Sequence, residues 1–453
     1  MATTEQFRPG YHDIVRPEIL DLIPTTAKNI LDLGCGTGAL GKALKQRQAC
    51  RVDGIELNTG AAEIAKTNLD NVFVDNLNRF DPAFLKQEYD CIILADILEH
   101  LISPWAVIKK FAAVLSQNGC IIASIPNIAH PWIISQLQKG LFRYELAGLL
   151  DITHLRFFTK TTIFQLFCRA KLKILNIRAF PSDENPVQYL VSAVKPLLIH
   201  KNPLATILIL TLNCWRYTLT CLNSIKAKTH APHEIIVIDN GSTDETITEL
   251  RKDITIYHIE NSYNLGFARG FNVGLDLIDT PFFALCNNDI VVSSYWLTTL
   301  LKNLTSDKEL VAVGPVSNYV SGPQLIQNIN YDTPKSFEDF SQYRRRAIAK
   351  PLYYFPRLVF FCTLFRSDVI QKVGFLDERF EIGNFEDDDY CRRIAIAKLK
   401  TAIDTSVFIH HYGSQTFREN EINYNKIMEE NKEKFFKKWS LTQKPKETPF
   451  NNT

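Results

Sequence analysis

This sequence predicts two α/β domains in tandem, and three observations carry that reading. The chain has 453 residues, more than one hydrophobic core ordinarily supports. Short apolar runs of strand type alternate with amphipathic helical stretches along its whole length. An apolar strand leading through a small polar turn into a helix occurs twice, at Asn29 to Leu44 and at Ala205 to Ser242. The alternation breaks at FPSDENP, after which VQYLVSAVKP reads as the last, edge strand of the first domain and LLIHKNPLA leads to the second. The expected division is 1–197 and 198–440, with 441–453 as a disordered tail.

Composition narrows the function classes. Hydrophobic residues make up 46% and charged residues 22%, which suits two folded domains rather than a disordered or fibrous chain. Lys and Arg number 51 against 49 Asp and Glu, so the basic face that a nucleic-acid partner requires is not expected. The ten cysteines are scattered through apolar runs without a CxxC pair, which predicts buried, reduced thiols. MATTEQFRPGYHD lacks an apolar signal core and no run reaches 18 apolar residues, so the expected location is cytoplasmic. The Lys- and Phe-rich segment NKEKFFKKW adds peripheral contact with the inner face of a membrane as an option.

In the first domain, NILDL, CRVDGIEL, NVFVD, YDCIILAD and GCIIASIP are the expected strands, with helices ending near Leu44 and Leu69 and another after Ser103. In a doubly wound sheet ligands lie beyond the carboxyl ends of the strands. GCGTG, Glu56, Asp75 and Asp96 all fall there. Gly34, Gly36 and Gly38 let the backbone turn sharply beside a ligand. Glu56 closes the second strand, where a carboxylate can accept both ribose hydroxyls. NAD would use the same geometry. Three details favour S-adenosylmethionine: the loop is GxGxG preceded by Asp32, Asp75 is placed to accept from an adenine amino group, and DILEHL follows the fourth strand.

On these residues, with SIPNIAH and GLLDITHLRFFT further on, the segment resembles class I S-adenosylmethionine-dependent methyltransferases, in a branch acting on small molecules or glycans. The resemblance implies a Rossmann-like sheet. It places Asp32, Gly34, Gly36, Gly38, Glu56, Asp75 and Asp96 around the cofactor, with Asp96 at its methionine end. Methyl transfer from a sulfonium is mainly alignment, and a base is needed only for a hydroxyl acceptor. His100, His130 and His154 are the base candidates, each with a structural role as the competing reading, and His154 is favoured. The aromatic (Asp/Asn)-Pro-Pro motif of amino-methylating DNA enzymes is missing after the fourth strand.

In the second domain, ATILILTLN is a buried strand, WRYTLTCLNSIKAK an amphipathic helix and HEIIVIDNGSTDET a strand and polar turn, again in parallel α/β style. Asp239, Asn240, Gly241 and Ser242 suit the edge of a base and its ribose. In NSYNLGFARGFNVGL, the small Gly266, Gly270 and Gly274 with Asn264 and Asn272 would let a helix pack closely beside a sugar nucleotide, plain packing being the rival reading. FFALCNNDIVV delivers Asn287, Asn288 and Asp289 at a strand end, where Asp289 can hold Mg²⁺ or Mn²⁺. FEIGNFEDDDYCRR offers Glu386 to Asp389, and IHHYGSQTF a histidine pair of which one faces each side of a strand. His411 is the favoured ligand.

The ordered set ILTLN, VIDNGSTD, NLGFARGFN, NND, VGFLDERF, EDDD and HHYGS is similar to GT-A fold glycosyltransferases of family 2, in the branch that builds rhamnose-rich bacterial polysaccharides. The resemblance implies a nucleotide-diphospho-sugar donor contacted by Thr211, Asn213, Asp239, Asn240, Asn264, Gly266, Asn287 and Asn288. It implies a metal on Asp289 and His411, and Asp387 as general base assisted by Glu386. Two departures stand out: ILTLN lacks the proline often found after that strand, and the acidic triplet begins with Asn. Together the halves predict a bifunctional enzyme transferring a sugar to a glycan or lipid-linked glycan and methylating a sugar. A second reading keeps the fold but makes the first domain a non-catalytic, S-adenosylmethionine-binding or scaffold unit.

Overall fold

The computed structural model describes residues 13–441 apart from 328, 414, 421 and 422. The tail expected to be disordered therefore lies, from 442 onward, outside the described residues. The chain divides between Leu197 and Leu198 into two compact units.

The first unit is a seven-stranded sheet. Its strands are β1 (Asn29–Leu33), β2 (Arg51–Glu56), β3 (Asn71–Val74), β4 (Tyr89–Ala95), β5 (Leu115–Pro126), β6 (Lys173–Phe180) and β7 (Gln188–Val194), in the order β3-β2-β1-β4-β5-β7-β6. The first five run parallel, and β7 is antiparallel to both β5 and β6. The helices begin where local chemistry lets them. Asn58 caps Thr59–Asn68 by accepting from the Ala61 amide at 3.0 Å, Pro104 opens Pro104–Ala112, and Thr159 with Thr162 forms a reciprocal capping box on Lys160–Arg169. Ile30, Leu44, Val52, Cys91 and Ile122 belong to one core cluster.

One expectation needs correction: β7 is the last strand of this unit along the sequence but not an edge of its sheet. β6 takes that place. Leu190 and Val191 are buried in succession, so both faces of β7 are covered, whereas β6 alternates toward solvent. Order along the chain stood in for order in the sheet, and the antiparallel insertion of β7 breaks that equivalence.

The second unit contains β8 (Ala205–Thr211), β9 (His233–Asp239), β10 (Tyr257–Glu260), β11 (Phe282–Asn287), β12 (Ile290–Val291), β13 (Leu310–Ser317), β14 (Leu352–Tyr354), β15 (Cys362–Arg366) and β16 (Lys400–His411). The order is β10-β9-β8-β11-β15-β13-β16-β12, with β14 also on β16. The expected parallel pairing holds for β10, β9, β8 and β11, and again between β13 and β16. β15 runs antiparallel to its neighbours β11 and β13, so the sheet is mixed. Thr211, Asp239 and Asn287 end three adjacent parallel strands and share one rim of the sheet.

The glycine helix Phe267–Leu275 corrects a second expectation. A Cβ on Gly266 would meet the Glu381 carbonyl oxygen at 2.0 Å, one on Gly270 would meet Leu210 at 2.6 Å, and one on Gly274 would meet Ile238 at 2.9 Å. These glycines make room for the protein's own loop and strands, and Gly266 also lines the cavity of this unit. The segment with Arg344 to Arg346 forms the helix Pro334–Ala347, which buries Phe337 and Ser341 and donates from Arg344 Nη2 to the Thr405 carbonyl at 2.6 Å. Among the described residues no helix is long and apolar enough to cross a membrane.

Candidate active sites

At the carboxyl end of the first sheet, Gly34, Gly36 and Gly38 all take positive φ, +76°, +54° and +76°, a region open to glycine at little cost. The turn closes directly on Glu56. Its Oε2 accepts from the Gly36 amide at 2.9 Å and its Oε1 from the Asn58 amide at 2.7 Å. The Asp75 amide donates to the Glu56 carbonyl at 3.1 Å, so the second and third strand ends stay in step. The Asp75 carboxylate accepts from the next amide, of Asn76, at 2.6 Å. Asp32 is buried, and burial first, then the nearby Glu56 charge, pushes its carboxyl up to about 7.

Asp96 sits at φ +55° at the end of β4, held by the Ser124 hydroxyl, which donates to its carboxylate at 2.6 Å, and by an ion pair with Arg16. Arg16 had no motif around it and was not legible as a partner. Of the three histidines, His130 caps its own helix by accepting from the Trp132 amide at 3.2 Å, which is the structural role. His100 and His154 come together instead, with ring centroids 4.8 Å apart. Burial, then His100, lowers the pKa of His154.

In the second unit, β12 pairs with the end of β16 so that Ile290 stands opposite His411, which brings the NND turn onto the histidine pair. His411 Nε2 lies 3.0 Å from Asp289 Oδ1 and 3.3 Å from Asn287 Nδ2, while its Nδ1 is 2.7 Å from the Tyr319 carbonyl oxygen. A carbonyl only accepts, so Nδ1 carries a proton, and Nε2 is the ring atom that faces the carboxylate. A cation shared by the two would satisfy both. His410 turns the other way, onto the Tyr331 hydroxyl at 2.6 Å.

Asn287, Asp289, Tyr319 and His411 line a cavity of about 1180 Å³ together with Thr211, Asn240, Asn264, Gly266, Asn288, Glu386 and Asp387. Burial, then the Asp388 charge, raises the Asp387 carboxyl to about 7, while Arg357 opposes the rise. Glu386 is raised well above its usual range by burial and by Asp387, and its Oε2 has no partner. The other two acids of the quartet are already engaged. Asp388 takes Arg357 Nε at 2.5 Å, and the buried Asp389 accepts from Arg393 Nε at 2.8 Å and Trp439 Nε1 at 3.0 Å. Asp389 is thereby spent on the fold, whereas Asp388 lines the cavity and its charge acts on Asp387. Arg357 lines the cavity too, and no motif marked it.

Four other expected donor contacts differ in kind. Asn288 Nδ2 donates to the Thr211 and Thr218 hydroxyls at 3.1 and 3.0 Å, so Thr211 and Asn288 are turned toward each other. Asn213 spans two turns, its Oδ1 accepting from the Thr243 amide at 2.7 Å, and it does not line the cavity. Asp239 also stands outside that lining. Its Oδ2 accepts from the Gly241 and Ser242 amides, while its buried Oδ1 has no partner, and burial foremost raises the carboxyl to about 6.

The two units thus define a pair of α/β nucleotide-type sites of transferase character. Residues 10–177 match the family model described as a methyltransferase domain, and residues 206–374 match the one described as glycosyl transferase family 2. The chain carries a methyltransferase domain followed by a family 2 glycosyltransferase domain. It is 32% identical over 116 residues to an uncharacterized glycosyltransferase of Haemophilus influenzae, covering 25% of this chain and 36% of that one. It is 26% identical over 139 residues to the ubiquinone biosynthesis O-methyltransferase of Histophilus somni, covering 26% and 58%. To the chondroitin synthase of Pasteurella multocida it is 25% identical over 232 residues, covering 44% and 24%. The matched segments span between about a quarter and three-fifths of these relatives' lengths.

Proposed function

We propose that this chain is a bifunctional enzyme of glycan assembly. In this reading the second unit transfers a sugar from a nucleotide diphosphate donor to a glycan acceptor with inversion, and the first methylates a hydroxyl of a sugar or related small molecule. The convergence of Asp289, His411 and Asp387 on one cavity carries the first half. Asp387 would take the acceptor hydroxyl proton; its raised pKa makes it a better base than an exposed carboxylate, and Arg357 keeps it ionisable through Asp388. Glu386, buried with one free oxygen, would orient the same hydroxyl. Asp289 and His411 would hold Mg²⁺ or Mn²⁺, which supplies charge to the departing diphosphate.

For methylation, the closure of the GCGTG turn on Glu56 supports S-adenosylmethionine as cofactor, with Asp75 toward the adenine and Asp96 toward the methionine end. His154 beside His100 would receive the acceptor proton. Apolar cavity walls at Phe435, Phe436 and Met428 support a lipid-linked glycan acceptor and work at the inner, cytoplasmic face of a membrane.

The test is a panel of nucleotide sugars incubated with the full chain and Mn²⁺, scored by nucleoside diphosphate release. One donor should be hydrolysed slowly, and Asp289→Ala and Asp387→Asn should each lower that donor's transfer at least a hundredfold while S-adenosylmethionine binding by calorimetry is unchanged. Full transfer by Asp387→Asn would overturn the assignment of the base.

A further inference from the structure

Glu99 is the least comfortable carboxylate in the first unit. It is 1% exposed, and neither of its oxygens has a hydrogen-bond partner. A buried carboxylate without a partner is costly, and such groups ordinarily pair or coordinate.

The surroundings of Glu99 point to what is missing. One ligand atom each from Glu99, His100 and His154 lies within 4.8 Å of the others. Both imidazoles are fixed from behind: His100 Nδ1 is 3.3 Å from the Thr153 carbonyl oxygen, and His154 Nδ1 is 3.2 Å from that of Leu149. A carbonyl accepts only, so each Nδ1 carries the proton and each Nε2 keeps its lone pair. That outer bond to the far ring nitrogen is how metal-ligating histidines are oriented. The acid and one histidine are adjacent in the short helix Leu98–His100, while the other histidine arrives from the loop of GLLDITHLRFF, whose Leu155 and Arg156 amides both donate to the Glu99 carbonyl.

We propose that Glu99, His100 and His154 form a binding site for one divalent transition ion, of the Zn²⁺ or Co²⁺ kind, beside Asp96 in the methyltransferase unit. Two imidazole nitrogens and one carboxylate suit such an ion better than Mg²⁺ or Ca²⁺, which prefer oxygen, and leave a coordination position for an acceptor oxygen. Binding of the ion stands on this geometry alone; its part in catalysis rests on the methyltransferase reading. There the acceptor oxygen would lose its proton to water on coordination, form the bond to the methyl carbon, and leave the methyl–sulfur electron pair on sulfur. His154 then acts as a ligand rather than as a base.

Co²⁺ alone, titrated into the full chain and followed by visible absorption and equilibrium dialysis, tests the site. The Asp289→Ala background removes the cation site of the second unit. That variant should take up one Co²⁺ per chain, which excess Mg²⁺ does not displace. Adding Glu99→Gln should abolish this uptake, and so should adding His154→Gln, with S-adenosylmethionine binding retained in both. Glu99→Gln keeps the size and shape of the side chain, and retained S-adenosylmethionine binding reports that the unit is folded. A chain that binds S-adenosylmethionine but no Co²⁺, or that keeps its Co²⁺ after Glu99→Gln, overturns the ion site. Uptake of Co²⁺ without any S-adenosylmethionine binding would support the ion site and sink the methyltransferase reading instead.

Discussion

Gly266 takes φ +81° with ψ −177°, a region that only glycine enters freely, and its missing side chain leaves 2.0 Å between an ideal Cβ and the Glu381 carbonyl oxygen. Backbone, not a flexible side chain, occupies that space. Gly266→Ala should therefore destabilise the second unit by about 3 kcal/mol or more, read from chemical denaturation, and should misplace the loop that carries Glu386 and Asp387. Asp387 offers a prediction in pH. Its folded carboxyl, at about 7, lies above its ordinary value of 3.8, so its contribution to stability is present below that value and is lost as pH rises through about 7. With chelator present, Asp387→Asn should flatten this fall and be the more stable protein at pH 8. The sequence showed which residue types gather here, because acids and histidines in order have few other uses. It could not show their direction: Asn288 and Thr211 bond to each other, and the small residues of NLGFARG serve packing. Nothing local distinguishes a glycine that admits a ligand from one that admits a carbonyl.

The acidic helix Glu386–Ile396 owes its position to the helix Tyr424–Lys438, far along the chain. Asn431, buried in that second helix, donates to the Phe380 and Gly383 carbonyls at 2.6 and 2.7 Å and so fixes the turn through Glu381, Asn384 and Phe385, all at positive φ. Trp439 and Lys438 close on Asp389 behind the cavity. Asn431→Ala would leave two carbonyls without their donor at a cost of about 1–3 kcal/mol. It should lower sugar-transfer kcat more than donor KM, because the donor rim on β8, β9 and β11 is untouched; equal loss in both would show that the turn also holds the donor. At this scale most strands and helices were readable from periodicity, down to Trp215–Lys228. What periodicity does not carry is pairing between distant elements: the slot of β7, the antiparallel β15, and the dependence of EDDD on a Lys-rich helix whose sequence offers only a membrane contact.

At the scale of the molecule, the core of Ile30, Val52, Cys91 and Ile122 shares no residue with the core of Ile207, Val237, Trp296 and Leu364. Each is large enough to fold on its own, so stability should be a property of the unit rather than of the chain. A ligand that binds one native unit stabilises that unit alone. At a hundred times its Kd, S-adenosylmethionine should add about 2.7 kcal/mol, which for a unit of this size is a rise in Tm of about 5–10 °C. Differential scanning calorimetry should therefore resolve two transitions. The cofactor should move one of them, and nucleoside diphosphate with Mn²⁺ the other; Asp289→Ala should cancel the second shift and leave the first. A single transition that both ligands raise would mean that the units unfold together, and that damage at Asp289 or Glu99 is felt in both activities.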